Sequence, residues 1–244
     1  MCLKVLVCLI SAWKVIAASN WTLNDENQCF YTVISRKTSN IVIDKISSCD
    51  NVEPYVTFVI ANSTNEVKPY FFNTYFNQWI RILKAVNNTW SFIPSFAFSN
   101  LENVNVIDLS TNRINIINNA FEGLMSLDSF NLSVNYIRDL NRDTFTISEN
   151  ATKLHLLDLS YNLLSYLPGD LFRNVYNLRF LYLQGNKITM LGDTLFWPLK
   201  RLIYLNICCN RIKTLKALEY LKKLEYLDVS FNKLSETNEN DGFI

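Results

Sequence analysis

One histidine, two adjacent cysteines and a train of evenly spaced aromatic residues are the side chains with which this 244-residue sequence could do chemistry. His155 precedes Asp158 by three residues, a pairing that suggests half of the base–carboxylate arrangement used to activate a nucleophile. No motif places a serine or cysteine nucleophile beside it, and there is no phosphate-cradling glycine loop or cluster of metal-ligating residues. His155 therefore reads as a solvated surface residue, the protein as a non-enzyme, and no cofactor or metal is expected. Cys29 and Cys49 have no further Cys or His nearby, which argues against zinc. With 23 basic against 22 acidic residues, the chain also lacks the charge excess that nucleic acid would want.

Binding through aromatic side chains is what remains. Phe180, Tyr204 and Tyr226 recur at intervals of 24 and 22 residues, with Tyr182 two places after the first. A tyrosine offers a large apolar area with a polar tip, which suits an exposed contact surface. Whether these rings meet depends on what the chain does between them.

The chain repeats. Leu178-Arg179-Phe180-Leu181-Tyr182-Leu183-Gln184-Gly185-Asn186-Lys187-Ile188 reads L-x-x-L-x-L-x-x-N-x-L, and Ile80, Val104, Leu127, Leu154, Leu178, Leu202 and Leu224 each open a copy. The intervals are 24, 23, 27, 24, 24 and 22 residues. The ninth position of every copy is an asparagine: Asn88, Asn112, Asn135, Asn162, Asn186, Asn210 and Asn232. Alternate residues of a short strand face opposite ways, so the fourth and sixth positions point inwards. One copy cannot bury that face alone, and the copies must stack. The asparagine amide both donates and accepts, and can satisfy backbone groups at the buried bend that follows. Phe98, Phe121, Phe145, Phe172 and Phe196 recur seven or eight residues after the last apolar position of a copy, as an aromatic spine beneath the opposite side would.

In chain order, residues 1–19 read as a secretory signal: Lys4, the apolar run Val5 to Trp13, then small Ala17, Ala18 and Ser19. That run is far shorter than the roughly 20 residues of a spanning helix, so no membrane span is expected. Asn20, Asn62, Asn87, Asn131 and Asn150 are N-glycosylation acceptors, in keeping with a secreted, extracellular glycoprotein. Residues 20–54 read as an N-terminal cap, a β-hairpin of Phe30 to Ile34 and Ile41 to Ile43 closed by a Cys29–Cys49 disulfide. Residues 55–234 hold the repeats, seven regular copies from 80 after one degenerate turn around Phe58 and Ile60. The long interval contains an insertion, Thr146 to Lys153, and residues 235–244 form a polar tail without a cysteine cap. Truncation, a covering partner or the tail itself would each account for such an end.

Stacked strands make a concave surface, and third and fifth positions face outwards with the eighth at the edge. The partner surface is accordingly expected at Phe180, Tyr204 and Tyr226 (third), Tyr182 (fifth), and Tyr161 and Phe231 (eighth). A glycan at Asn131, a fifth position, would push a protein partner towards the later repeats, and one at Asn87 would shield the first copy's edge. Cys208, at the seventh position, reads as structural because Ser110, Ser133, Ser160 and Ser230 stand there in other copies. Cys209 at the eighth position is the candidate for an interchain disulfide to a partner, although the pair could also stay free or form a strained bond with each other.

Copies such as Leu154-His155-Leu156-Leu157-Asp158-Leu159-Ser160-Tyr161-Asn162 resemble extracellular leucine-rich-repeat proteins, Toll-type receptor ectodomains among them. The N-terminal hairpin is also similar to that of mosquito leucine-rich-repeat immune proteins. These are secreted, associate through disulfides and regulate complement-like factors. The resemblance implies an α/β solenoid: a horseshoe with parallel strands on its concave face, an irregular or helical convex side and the disulfide-closed cap. The function it implies is a secreted recognition or adaptor protein of innate immunity. The alternative is a matrix or cell-adhesion protein, or a receptor ectodomain lacking its anchor.

Non-reducing peptide mapping is expected to find Cys29 bonded to Cys49, and Cys29→Ser to lower stability by about 2–4 kcal/mol. Two free thiols there would remove the disulfide from the cap.

Overall fold

An asparagine at every ninth position, with apolar residues at the first, fourth, sixth and eleventh, sets the architecture. The computed structural model describes residues 30–36, 40–44, 55–60, 77–117, 121–145 and 153–234. Its strands are β1 (Phe30–Arg36), β2 (Asn40–Asp44), β3 (Tyr55–Ile60), β4 (Ile80–Lys84), β5 (Phe92–Ile93), β6 (Val106–Asp108) and β7 (Ile116–Ile117). They continue as β8 (Ser129–Asn131), β9 (Leu156–Asp158), β10 (Tyr166–Leu167), β11 (Phe180–Tyr182), β12 (Met190–Leu191), β13 (Tyr204–Asn206) and β14 (Tyr226–Asp228). Ten of them form one sheet in the order β14-β13-β11-β9-β8-β6-β4-β3-β1-β2, parallel throughout except for the antiparallel β1–β2 hairpin. From β4 onwards the register aligns equal motif positions, as in Leu156↔Phe180, Phe180↔Tyr204 and Tyr204↔Tyr226. The degenerate turn joins in the same phase, with Phe58 opposite Leu83.

The inward positions are dry. Leu157, Leu159, Leu181 and Leu183 are buried, and so are the five spine phenylalanines. Those rings stack one on the next at 6.1, 6.4, 6.2 and 6.4 Å between centroids. In the last copy the same positions are more open, Leu227 and Leu234 each being 41% exposed.

The asparagines join the copies. Asn186 donates through Nδ2 to the carbonyls of Leu183 (3.0 Å) in its own copy and Leu159 (2.9 Å) in the preceding one. Its Oδ1 accepts the Leu164 N–H, also in the preceding copy, at 3.1 Å. Asn112, Asn135, Asn162, Asn210 and Asn232 repeat this set with the same motif positions. Asn88 reaches back to the Ile60 carbonyl at 2.9 Å, which ties the degenerate turn into the array.

The chain enters each asparagine through a left-handed residue. All seven eighth positions have positive φ: Asn87, Thr111, Val134, Tyr161, Cys209 and Phe231 at 52–57°, and Gly185 at 69°. This conformation is costly for Thr111 and Val134, whose β-branched side chains disfavour it.

The α part of the expected α/β solenoid needs correction. Among the described residues the return segments hold turns, short strand pairs (β5 with β7, β10 with β12) and two 3-10 helices, Asn77–Trp79 and Lys216–Tyr220, and no α-helix. Each return must insert a phenylalanine into the core and come back within one interval. It does so with bonds three residues apart, such as Leu101 N–H to Phe98 O (2.9 Å) and Leu199 N–H to Phe196 O (3.0 Å). No helix among the described residues is long and apolar enough to cross a membrane. The signal (1–19), Asn20, Cys29, Cys49, Asn62, Asn150 and the tail (235–244) lie outside the described residues, as does all of the insertion but Lys153.

Asn186→Ala leaves the buried Leu164 N–H without its acceptor and takes one of two asparagine donors from each of the Leu159 and Leu183 carbonyls, which keep Asn162 and Asn210, and is expected to cost about 1–3 kcal/mol. Urea unfolding measures it, and an unchanged midpoint would show that the amide carries no such load.

Candidate interaction surface

Odd positions of each copy face away from the core, so the sheet's outer face is built by third and fifth residues. The fifth positions from β6 on are Asp108, Asn131, Asp158, Tyr182, Asn206 and Asp228. Five of them do one structural job. Each accepts, through Oδ1, the backbone N–H two residues on: Ser110 (3.0 Å), Ser133 (2.9 Å), Ser160 (2.9 Å), Cys208 (3.0 Å) and Ser230 (3.0 Å). These short side-chain turns close the strand and start the bend. Tyr182 cannot do this. Its copy also differs at the two positions before the asparagine: the Gln184 side-chain oxygen is buried without a hydrogen-bond partner, and Gly185 follows.

The rings come together from that copy onwards. Tyr204 stacks on Tyr226 with centroids 4.3 Å apart and planes within 4°. Tyr182 lies 5.0 Å from Tyr204 at 40°, and Phe180 lies 6.3 Å from it. The Arg179 guanidinium sits 6.0 Å above Phe180, a cation on the outermost ring. Phe180, Tyr182 and Tyr204 are half-buried and Tyr226 is exposed. Burial, then Tyr204 and the Asp158 charge, push the Tyr182 hydroxyl above its ordinary range. Tyr226 is raised too, first by repulsion from the Tyr204 hydroxyl and then by the hydrogen bond between them. Hydrogen bonds from the Ser230 hydroxyl and N–H hold Asp228 below the usual carboxylate value, so it stays charged.

The eighth-position aromatics stand at the sheet's edge. Phe231 is 81% exposed and Tyr161 58%. The Tyr161 ring lies over Gly185, where a Cβ would come within 2.5 Å of its Cδ1. Asn87 is exposed beside the first copy, and Asn131 faces outwards with its Oδ1 already used by Ser133.

His155 does not pair with Asp158, whose carboxylate takes the Ser160 N–H. Its Nδ1 lies 2.5 Å from Asp128 Oδ1, both residues half-exposed. They hold the second position of adjacent copies, so the register brings them together across 27 residues of sequence. Among the described residues no three His, Cys, Asp or Glu side chains are placed to hold a metal. Cys208 and Cys209 are free thiols, the first half-buried and the second exposed. Burial, then a hydrogen bond with Cys209, push the Cys208 thiol up to about 12, so it remains protonated at neutral pH.

A leucine-rich-repeat family model matches residues 80–137, 128–188 and 177–234, more than half of the 244 residues. This chain belongs to the leucine-rich-repeat family. Human oligodendrocyte-myelin glycoprotein is 33% identical over 131 residues, 53% of this chain and 28% of that protein. Chicken (Gallus gallus) lumican is 33% identical over 135 residues, 52% of this chain and 37% of that one. The chain thus spans well under half the length of these curated relatives. Among solved structures, that of a TLR13–ssRNA13 complex superposes with a TM-score of 0.68 at 28% identity, over 75% of this chain and 26% of that one.

Gly185→Ala adds a methyl group both to a left-handed residue and against the Tyr161 ring. It is expected to cost about 1 kcal/mol or more in stability. A melting temperature matching that of the unaltered protein would show that the ring moves aside freely.

Proposed function

We propose that this leucine-rich-repeat chain is an extracellular recognition or adaptor protein of innate immunity. It acts by binding a protein partner on the concave face of its later repeats. The observation that carries this reading is the continuous ladder of Phe180, Tyr204 and Tyr226, flanked by Tyr182 at the one fifth position from β6 on that forgoes its turn-closing hydrogen bond. Departures from a local structural rule mark functional positions. Concavity of the strand face is supported by a wedge in the spacings: parallel strands lie about 4.8 Å apart, whereas the spine rings behind them repeat at 6.1–6.4 Å.

An extracellular address and an immune role are supported by the sequence features of export and by the likeness to the Toll-type fold. The mosquito proteins offer the same model for secretion and for a disulfide link through Cys209, which is exposed and unbonded. The second reading, a matrix or cell-adhesion protein or a receptor ectodomain, is favoured by the likeness to lumican, a matrix proteoglycan. Induction of the transcript on infection supports the immune reading, and constitutive expression in connective tissue the other.

Tyr204→Ala removes an outward ring and no core contact. It is expected to leave the melting temperature nearly intact and to weaken partner binding by about 2 kcal/mol or more. Capture from extracellular fluid with the wild type, this variant and a variant bearing an added glycan on a neighbouring strand measures the effect. A partner retained by all three would remove the aromatic ladder as the site.

A further inference from the structure

The carboxylates of the strand face are more than the fold requires. Asn131 and Asn206 close their turns at 2.9 and 3.0 Å, as well as Asp108, Asp158 and Asp228 do at 2.9–3.0 Å. An amide oxygen is therefore sufficient, and the turn does not require the negative charge found at three copies. From β6 to β14 the third positions are Val106, Ser129, Leu156, Phe180, Tyr204 and Tyr226, so third and fifth positions together carry three aspartates and no lysine or arginine. The fifth-position row across adjacent strands reads Asp158, Tyr182, Asn206, Asp228. Two charges therefore lie on either side of Tyr182 in its row, beside the row of third-position rings.

Resting on the protein-binding reading above, we infer that the partner presents a basic segment, whose lysine or arginine heads face Asp158 and Asp228 while their aliphatic stems lie along the Tyr182, Tyr204 and Tyr226 side chains. The negative face of an aromatic ring attracts a cation, most strongly where water is excluded. Arg179 already takes that place on Phe180 from within the chain, and Tyr204 is stacked on Tyr226, which leaves exposed Tyr226 as the ring at which a cation from outside can meet an open face. Asp228 is held in its charged form by Ser230, and the Asp158 charge is felt at Tyr182. The third and fifth positions from β6 to β14 offer no lysine or arginine to neutralise phosphates.

Aspartate-to-asparagine substitution tests this cleanly, because Asn206 shows that the turn survives it. The probe is a labelled alternating glycine–arginine peptide, read by fluorescence anisotropy, with the glycine–glutamate peptide, a neutral oligosaccharide and oligouridylate as comparisons. The arginine peptide alone is expected to bind, and more weakly as salt rises from about 0.05 to about 0.3 M. Asp158→Asn and Asp228→Asn are each expected to weaken it about fivefold, and Tyr204→Ala at least as much. Asp108→Asn, the same change away from the rings, is expected to have no effect. No binding by the wild type, or binding indifferent to Asp158→Asn and Asp228→Asn, overturns the inference. If Tyr204→Ala still abolishes capture of the natural partner in that case, the concave-face reading stands and only the basic chemistry is lost. Binding of the acidic peptide, the sugar or the RNA at the tyrosines overturns the inference as well.

Discussion

Everything in this molecule depends on a primary amide placed where the chain turns beneath a sheet. Parallel strands need a return path, and the turn into it leaves backbone N–H and C=O groups inside the core, where each unmet one is costly. The asparagine ladder meets them: one side chain spans its own copy and the one before, donating to two carbonyls and accepting one N–H. The positive φ at all seven eighth positions follows from this, since the chain must swing left-handed to aim the next side chain inwards. Strain at Thr111 and Val134 persists because the hydrogen bonds and the dry core over-determine it.

The outer face of the sheet inherits its order from the same constraint. Because the ladder keeps the copies in phase, equal positions face each other across strands, and third-position aromatics must stack. Fifth positions close the strand with an aspartate or asparagine, a role that the fold imposes and that leaves charge as a free choice. Tyr182, Gln184 and Gly185 together break the pattern in one copy, and the rings come together from there onwards. That stretch is thus a local exception within a regular frame, tolerated because the neighbouring copies hold the register.

Much of this was legible in the sequence, and what was not has a physical reason. The asparagines, the phenylalanine spine and the outward rings announce themselves because each recurs at a fixed interval and each is the residue type its position demands. The left-handed eighth positions do not. Val134, Tyr161 and Phe231 carry no local preference for that conformation, and only the demands of the following asparagine put them there. His155 misled for a related reason: its neighbour in sequence is Asp158, but stacking sets it against Asp128 in the copy before. Of the two expectations for the return side, irregular or helical, the described residues show the irregular one, with turns and 3-10 segments delivering the phenylalanines. The turn-closing role of the fifth position was present as a recurring D-x-S spacing, and reading the fifth residues only as outward-facing passed over it.

The asparagine bonds also have a direction. Each amide satisfies groups in the copy that precedes it, so a copy is finished by the next one along. On a ribosome making about 5–20 residues per second, an interval of 24 residues means a lag of about 1–5 s. During that lag the newest copy waits for the side chain that completes it. The protein is thus written in the order in which it can be closed, each repeat sealed by its successor as it emerges, and a stall during synthesis would leave one unfinished turn at the growing end rather than many along the chain.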